Sequence, residues 1–484
     1  MAPPHVVRVT TERVPLPGVD PLAAYLALGE RFGRDQVYLL ESAGGPADDC
    51  RQHVVGFAEL LSVSVHAGAV VVTGVEPARQ AVLAHLAPLL DDDETRLRDD
   101  RRLWELLRGV ESAFAATGSA TEFGFGFLAY FSYDVARYIE ELPRLIDTDP
   151  GVPDVHLVLY QGLVRIDVAT GRGELLVHHS DAWDGLDPAE VAALVAAAAP
   201  VAEDAAADRD ADAEDDTERD TYLSHVDKAL EHIAIGDIYQ VQIGHELTIR
   251  SQTDPVTVYR RLRDRNASPY MYLTPLGAHT VVGASPELFV RVCDGEVVMR
   301  PIAGTYPRGI VDDETAAATL SGNPKEIAEH VMLVDLCRND IGRICRQDTL
   351  EVRDQMVVER YSHVLHLVST VAGQAAPGRD SYDVIAALFP SGTMTGAPKI
   401  RAMEIIEATE ACRRGLYAGA LGLIGAGGYL NLALCIRTLI HRGDLYRTRA
   451  SAGVVADSDA AKEWTETLAK SSAAYWAITG RELL

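Results

Sequence analysis

A chain of 484 residues is long enough for two or three domains or one large interwoven pair, and its 48% hydrophobic and 24% charged residues can fill a substantial core. A formal net charge of -27 argues against a protein that tracks nucleic-acid phosphates or rests on anionic lipid, but leaves room for a local basic pocket. No run approaches ~18 uninterrupted apolar residues, so no membrane span is expected.

The N-terminus lacks the basic start and apolar run of a signal peptide. Six cysteines without a close CxxC pair read as reduced thiols of a cytoplasmic protein, not as a zinc cluster. Along residues 1–180, short apolar runs alternate with turns. "QVYLLES" (36–42), "LLSVSVHAGAVVVTG" (60–74) and 156–180 predict strands and hairpins, and helices are expected around 76–90 and 101–116. Residues 120–133 are aromatic and Gly-rich, as in a closely packed sheet. Residues 192–220 then turn Ala- and Asp-rich, with almost nothing large and apolar from 203 to 221 to offset ordering entropy; they predict a flexible acidic linker. The expected organisation is a domain at 1–195, a linker at 196–220 and a second domain at 221–484.

Two helices in the second domain each carry a carboxylate pair. In "SGNPKEIAEHVMLVDL" (321–336), Asn323 can cap, Pro324 suits the first turn and Glu326 stands at the capping-box position. Glu326 and Glu329 then share a face. In 457–480, Glu463, Glu466 and Lys470 follow helical spacing, and Gly480 marks a stop. Such pairs are common on solvated faces, and spacing alone does not bring the two helices together. Were they to meet, four carboxylates would need a hard cation between them, and oxygen ligands with retained waters suit Mg²⁺. "FPSGTMTGAPKIRAMEIIEATE" (389–410) offers a helix start that attracts anions, though no Walker loop. "NLALCIRTLI" (431–440) reads as an apolar strand holding Arg437, whose partner is either a substrate carboxylate or a structural acid. His366 lies in a strand-like run, where a satisfied core histidine is the common case.

Nine stretches occur together in order: "GDIYQV" (236–241), "GASPELF" (283–289), "RPIAGTYPRG" (300–309), "KEIAEHVMLVDLCRNDIGR" (325–343), "YSHVLHLVS" (361–369), "FPSGTMTGAPKIRAMEII" (389–406), "RRGLYAGALG" (413–422), "CIRT" (435–438) and "AGVVADSDAAKEWTET" (452–467). In these the chain resembles the chorismate-utilising enzymes, specifically anthranilate synthase component I. The resemblance implies an α+β chorismate-binding fold, with two face-packed β-sheets and outer helices, plus a smaller β-rich N-terminal domain. It implies one Mg²⁺ faced by Glu329 and Glu466, with Glu326 and Glu463 supporting. Glu287 matches the general acid that protonates the departing C4 hydroxyl of chorismate. Arg437, Tyr417 and the Gly453 backbone match the pyruvyl carboxylate site, and Lys470 with the metal would hold the ring carboxylate. Gly304, Thr305 and Thr393 would line the pocket, and His366 matches the histidine of pyruvate elimination.

Two positions discriminate among the family's reactions. Relatives that add water carry Lys where this chain has Gln240, a neutral amide that favours ammonia. Aminodeoxychorismate synthases usually carry Lys where this chain has Ala303, so direct amination at C2 is implied. The expected activity is that of an anthranilate synthase: C2 amination, then pyruvate loss to anthranilate, in the pathway to tryptophan or a secondary metabolite. An enzyme that stops at 2-amino-2-deoxyisochorismate, an aminodeoxychorismate synthase component I and a silent regulatory subunit are the competing readings. Retained His366 favours full turnover, and the retained acid, glutamates, Arg437 and Lys470 argue against silence. No glutaminase nucleophile elbow is present, so a separate glutamine amidotransferase subunit is the expected ammonia source. The family's tryptophan site maps to Glu41, Ser42, Pro269, Tyr270 and Met271, with Ala267 and His53 departing from its pattern. Ser451 departs too, standing where the family commonly has Gly.

Overall fold

The structure is a computed structural model that describes residues 5–148, 151–199, 211–361 and 363–484. Helix and strand are mixed in nearly equal shares, 33% and 35%, in the α+β arrangement expected. Apart from a short parallel pair, Val7–Arg8 with Phe114–Ala115, the described strands join in one hydrogen-bonded ladder.

That ladder runs through both halves of the chain. Strand Val37–Glu41 pairs antiparallel with Tyr270–Leu276, placing Glu41 opposite Met271. Strand Gly126–Phe131 pairs with Ala420–Gly425. The hydrophobic clusters also draw on both halves: Phe127, Phe131 and Leu157 share a core with Phe289, Leu388 and Leu432. The N-terminal half is therefore continuous in backbone and core with the C-terminal one.

The strands and helices of 36–180 fall where the apolar periodicity places them, including helices Glu76–Leu86 and Leu103–Ser112. The acidic stretch differs. Residues 200–210 of the expected linker lie outside the described residues. Beyond them, Asp212–Asp215 is a strand that pairs with Leu247–Arg250 rather than part of a flexible linker. Its side chains are mostly exposed, so backbone ladder bonds, not apolar burial, hold it in place. Composition does not report such bonds.

Three elements position the cleft. Strand Gln240–Arg250 is central and pairs with Leu445–Val454, so that Gln242 faces Gly453 and Gly244 faces Ser451. Helix Pro324–Gly342 packs on strands Ile302–Pro307 and Val364–Gln374. Helix Ala460–Thr479 packs on Leu445–Val454. Local chemistry starts both helices: Asn323 accepts from Lys325 N at 3.0 Å with Pro324 in the first turn, and Asp459 accepts from Lys462 N at 3.0 Å. The last helix ends on Gly480 at φ 66°, the left-handed stop its sequence offers. No helix among the described residues is long and apolar enough to cross a membrane.

Candidate active site

A cleft opens where these elements converge. On its floor, strand Gln240–Arg250 alternates its side chains, so Gln240 and Gln242 point the same way, and both line the cleft. Gly453 lies opposite. A Cβ there would come within 2.8 Å of Gln240 Nε2 and 2.9 Å of Gln242 Nε2, so the glycine makes room for both amides. Gln240 is 2% exposed, and its Oε1 has no hydrogen-bond partner. A buried acceptor left open in a cleft is costly unless a ligand supplies the donor.

Glu287 sits in the turn between strands His279–Ser285 and Leu288–Cys293. Its carboxyl accepts from Thr393 Oγ1 at 3.0 Å, and Thr393 lies 2.9 Å from Ser391 Oγ. Thr393 thus serves the acid rather than an anion at a helix start. Burial pushes Glu287 up to about 7, against the pull of the Thr393 bond and of Lys470. A carboxyl so placed keeps its proton near neutral pH and can give it to a leaving group.

His366 lies opposite Thr305 across the ladder between Ile302–Pro307 and Val364–Gln374. The register shifts between Ala303 and Thr305, and Gly304 between them has φ 69°. That left-handed turn aims the Gly304 carbonyl at His366 Nδ1, 2.8 Å away. A carbonyl only accepts, so Nδ1 carries the hydrogen and Nε2 the lone pair. Burial lowers His366 to about 4, ahead of the opposing Gly304 bond, leaving a neutral imidazole. Gly304 also makes space for the first carboxylate pair, because a Cβ would meet Glu326 Oε2 at 3.1 Å. Glu326 therefore faces the cleft wall instead of closing a capping box; Asn323 alone caps the helix with its side chain.

The two helices bring one glutamate of each pair, Glu329 and Glu466, to the same cleft. Burial raises the Glu329 carboxyl, followed by the negative charges of Glu326 and Glu466. Burial likewise raises Glu463, with Glu466 adding to it and a Ser458 hydrogen bond opposing. Lys470 Nζ binds Glu466 Oε1 at 2.7 Å and donates to the Ser451 carbonyl at 2.9 Å. Glu329, Glu466 and Lys470 line the cleft; Glu326 and Glu463 are not among its lining residues. Carboxylates gathered at one cleft would suit a hard divalent cation. Among the described residues, the tightest acidic grouping lies elsewhere, at Asp215, Asp216 and His245. There both histidine nitrogens are already used, by Asp215 and by Thr467.

Arg437 corrects the strand expectation. "NLALCIRTLI" is two strands, Leu430–Leu434 and Thr438–Arg442, and Arg437 sits in the break with φ 52°. A non-glycine residue held there is strained, and such strain gathers at functional sites. Burial lowers Arg437, while Tyr417 and Glu466 act the other way. No described carboxylate forms an ion pair with its guanidinium. Tyr417 is beside it, with its hydroxyl 2.6 Å from Ser451 Oγ. Ala303, also on the cleft wall, is 6% exposed and offers no amine.

Glu41, Ser42, Pro269, Tyr270 and Met271 line a separate, narrow cavity with Asp49 and Gln52. Glu41 is bound by Tyr259 and by Arg263 NH2 at 3.0 Å. Ser42 N donates to His53 Nδ1 at 3.2 Å. Gln242 was missed as a cleft residue, although the period-two spacing from Gln240 could have found it. Arg449, also on the cleft, carried no motif signal; it is held by Glu410 at 2.8 Å.

A buried acid, an arginine with no described carboxylate partner and a glutamate from each of two helices line one cleft beside antiparallel strands, a set of groups suited to a small polyanion. Residues 70–475 match the family model described as chorismate binding enzyme. The chain belongs to that family, and it is a chorismate-utilising enzyme of aromatic biosynthesis. It is 59% identical over 483 residues to the 2-amino-4-deoxychorismate synthase of Streptomyces globisporus, covering 99% of this chain and 98% of that one. It is 36% identical to anthranilate synthase component 1 of Acinetobacter calcoaceticus, over 92% and 90% of the two chains. The crystal structure of anthranilate synthase component I from Streptococcus pneumoniae TIGR4 superposes with a TM-score of 0.71 at 28% identity, covering 88% of this chain and 92% of that one.

Proposed function

We propose that this enzyme aminates chorismate at C2, expels the C4 hydroxyl and releases 2-amino-2-deoxyisochorismate with its enolpyruvyl ether intact. The observation that carries the reading is the 59% identity, end to end, with a 2-amino-4-deoxychorismate synthase, against 36% with an anthranilate synthase component 1. The former name describes a ring with nitrogen at C2, no oxygen at C4 and the ether retained, the same connectivity as 2-amino-2-deoxyisochorismate. This revises the order of the two sequence-based readings, in which His366 favoured anthranilate.

The residues support this chemistry. Glu287, protonated up to about pH 7, gives its proton to the C4 oxygen as that bond breaks. Gln240 Oε1, buried and open, accepts a hydrogen bond from ammonia and cannot deprotonate water. Arg437 takes the enolpyruvyl carboxylate, and Lys470 takes the ring carboxylate. Glu329 and Glu466, backed by Glu326 and Glu463, would hold Mg²⁺. When bound, the metal supplies charge neutralisation and orientation at the ring carboxylate. Ala303 leaves no amine to divert attack, which speaks against amination at C4. Ammonia would come from a glutamine amidotransferase subunit in the cytoplasm. The cavity at Glu41 would be the place for a tryptophan-like inhibitor.

The test is direct. The purified chain is incubated with chorismate, Mg²⁺ and ammonium, and its products are resolved by mass. An aminated product that keeps the enolpyruvyl mass, with no pyruvate released, is expected. Anthranilate with equimolar pyruvate would sink the reading, and isochorismate as product would sink the role given to Gln240.

A further inference from the structure

Ser451 joins three groups that line the cleft. It is 2% exposed on strand Leu445–Val454. Its Oγ donates to Gln242 Oε1 at 2.9 Å and lies 2.6 Å from the Tyr417 hydroxyl. Its carbonyl accepts from Lys470 Nζ at 2.9 Å. A serine hydroxyl has one proton, and an amide oxygen only accepts. The serine proton is therefore spent on Gln242, whose nitrogen lies on the other side, over Gly453. The direction of the remaining bond follows: Tyr417 donates to Ser451. The phenol proton is committed, so Tyr417 offers the substrate only lone pairs and, against what the resemblance implied, leaves the enolpyruvyl carboxylate to Arg437.

We infer that Ser451 determines the product: by holding the Tyr417 proton it withholds a donor from the enolpyruvyl oxygen, so the aminated ring leaves with its ether intact. This rests on the proposed function. Pyruvate elimination breaks the C3–O bond and sends its electron pair to the ether oxygen as pyruvate enolate. The C2 proton passes to a base, the ring becomes anthranilate, and the enolate carbon takes up a proton to give pyruvate. Atoms and electrons balance without an oxidant. Negative charge develops at the ether oxygen, on the side where Arg437 would hold the enolpyruvyl group, and Tyr417 is beside Arg437. A positioned donor at such an oxygen contributes ~10²–10³ in rate. Amination breaks a different bond, C4–O, served by Glu287, so Ser451 acts on the partition after amination. It is a positioning residue working through Tyr417.

The experiment compares wild type, S451A, Y417F and the S451A/Y417F double variant on chorismate, ammonium and Mg²⁺. Aminodeoxyisochorismate, anthranilate and pyruvate are each quantified. In S451A the phenol proton is released to the cleft, and the ratio of anthranilate to aminated ether should rise at least about tenfold. The double variant should return to the wild-type ratio, because the gain requires the Tyr417 hydroxyl. Should S451A be insoluble, S451C, which is similar in size and a weaker hydrogen-bonding partner, is read the same way. A wild type that retains the ether with an unchanged ratio in the serine variants overturns the role of Ser451 alone. So does a gain that persists without the Tyr417 hydroxyl. A wild type that releases anthranilate and pyruvate as its main products overturns both this inference and the functional reading.

Discussion

Two cavities of this protein differ in how they treat buried charges. In the cavity at Glu41, the buried charges have partners in the chain, and the open group on its wall is the neutral amide oxygen of Asn431. Glu41 is held by Arg263 and Tyr259, and Asp49 accepts from Tyr270 at 2.9 Å and pairs with Arg300. Ser42 Oγ donates to the Gln52 carbonyl at 3.1 Å. In the catalytic cleft some groups stay open: Arg437 has no described carboxylate, Gln240 Oε1 has no donor, and Glu329 is raised by its burial and by the charges of Glu326 and Glu466. Leaving a buried polar group unmatched costs ~1–3 kcal/mol. A closed network can be explained by the fold alone, whereas an open one needs a substrate or ion to complete it.

Glu287 offers the largest break in this contrast. Glu287→Gln keeps the hydrogen bond to Thr393 but has no proton to give, so kcat should fall by ~10²–10⁴. Wild-type turnover should also decline as pH rises through about 7, since the carboxyl must stay protonated to act. The variant should lack that limb, and a variant profile with the same limb would remove Glu287 from the role of acid. Glu329→Gln comes next, with an expected loss of ~10²–10³ in kcat. Its melting temperature should hold or rise, because one like charge leaves a crowded cluster. A lower melting temperature with turnover preserved would mark the cluster as structural.

Much of the cleft was legible because its helices announce themselves locally. Asn323 and Pro324 start one, Asp459 and Gly480 bound the other, and carboxylates three apart must share a face. That the two faces meet came from the family resemblance, since helical spacing carries no information about a distant helix. Arg437 was misplaced because its apolar neighbours permit an unbroken strand, and a left-handed arginine has no signature in composition. The strand Asp212–Asp215 was missed for the converse reason: it is held by ladder bonds while its side chains resemble linker. The junction at Ser451 depends on the register that sets Gly244 opposite Ser451 and Gln242 opposite Gly453. A residue-by-residue reading sees those positions one at a time.

Arg300→Met tests the closed side of the comparison. Both partners of the Arg300–Asp49 pair are 3% exposed, and Arg300 also binds Glu359. Removing the arginine strands a buried carboxylate and should cost ~3–5 kcal/mol in denaturant unfolding. Adding Asp49→Asn should recover part of that loss, because a neutral amide is cheaper to leave buried. A single variant as stable as wild type would mean that water reaches the pair, and the cavity would no longer count as closed.

His53 gives the smallest effect and the finest test. Its Nδ1 accepts from Ser42 N, and burial, with Arg263 adding to it, lowers the imidazole from 6.5 to about 4. Above pH 6.5 both folded and unfolded chains carry it neutral. Between 6.5 and about 4 the unfolded chain takes up a proton that the folded chain refuses, so this residue subtracts stability as pH falls through that window. His53→Gln can still accept from Ser42 N through Oε1 but does not titrate. The stability of the variant relative to wild type should be flat above pH 6.5 and then improve by up to ~1.4 kcal/mol for each unit of acidification. Urea unfolding of both proteins across that range measures the difference. A gap that stays constant with pH would show that His53 is as easily protonated in the fold as outside it. The hydrogen bond to Ser42 would then be intermittent.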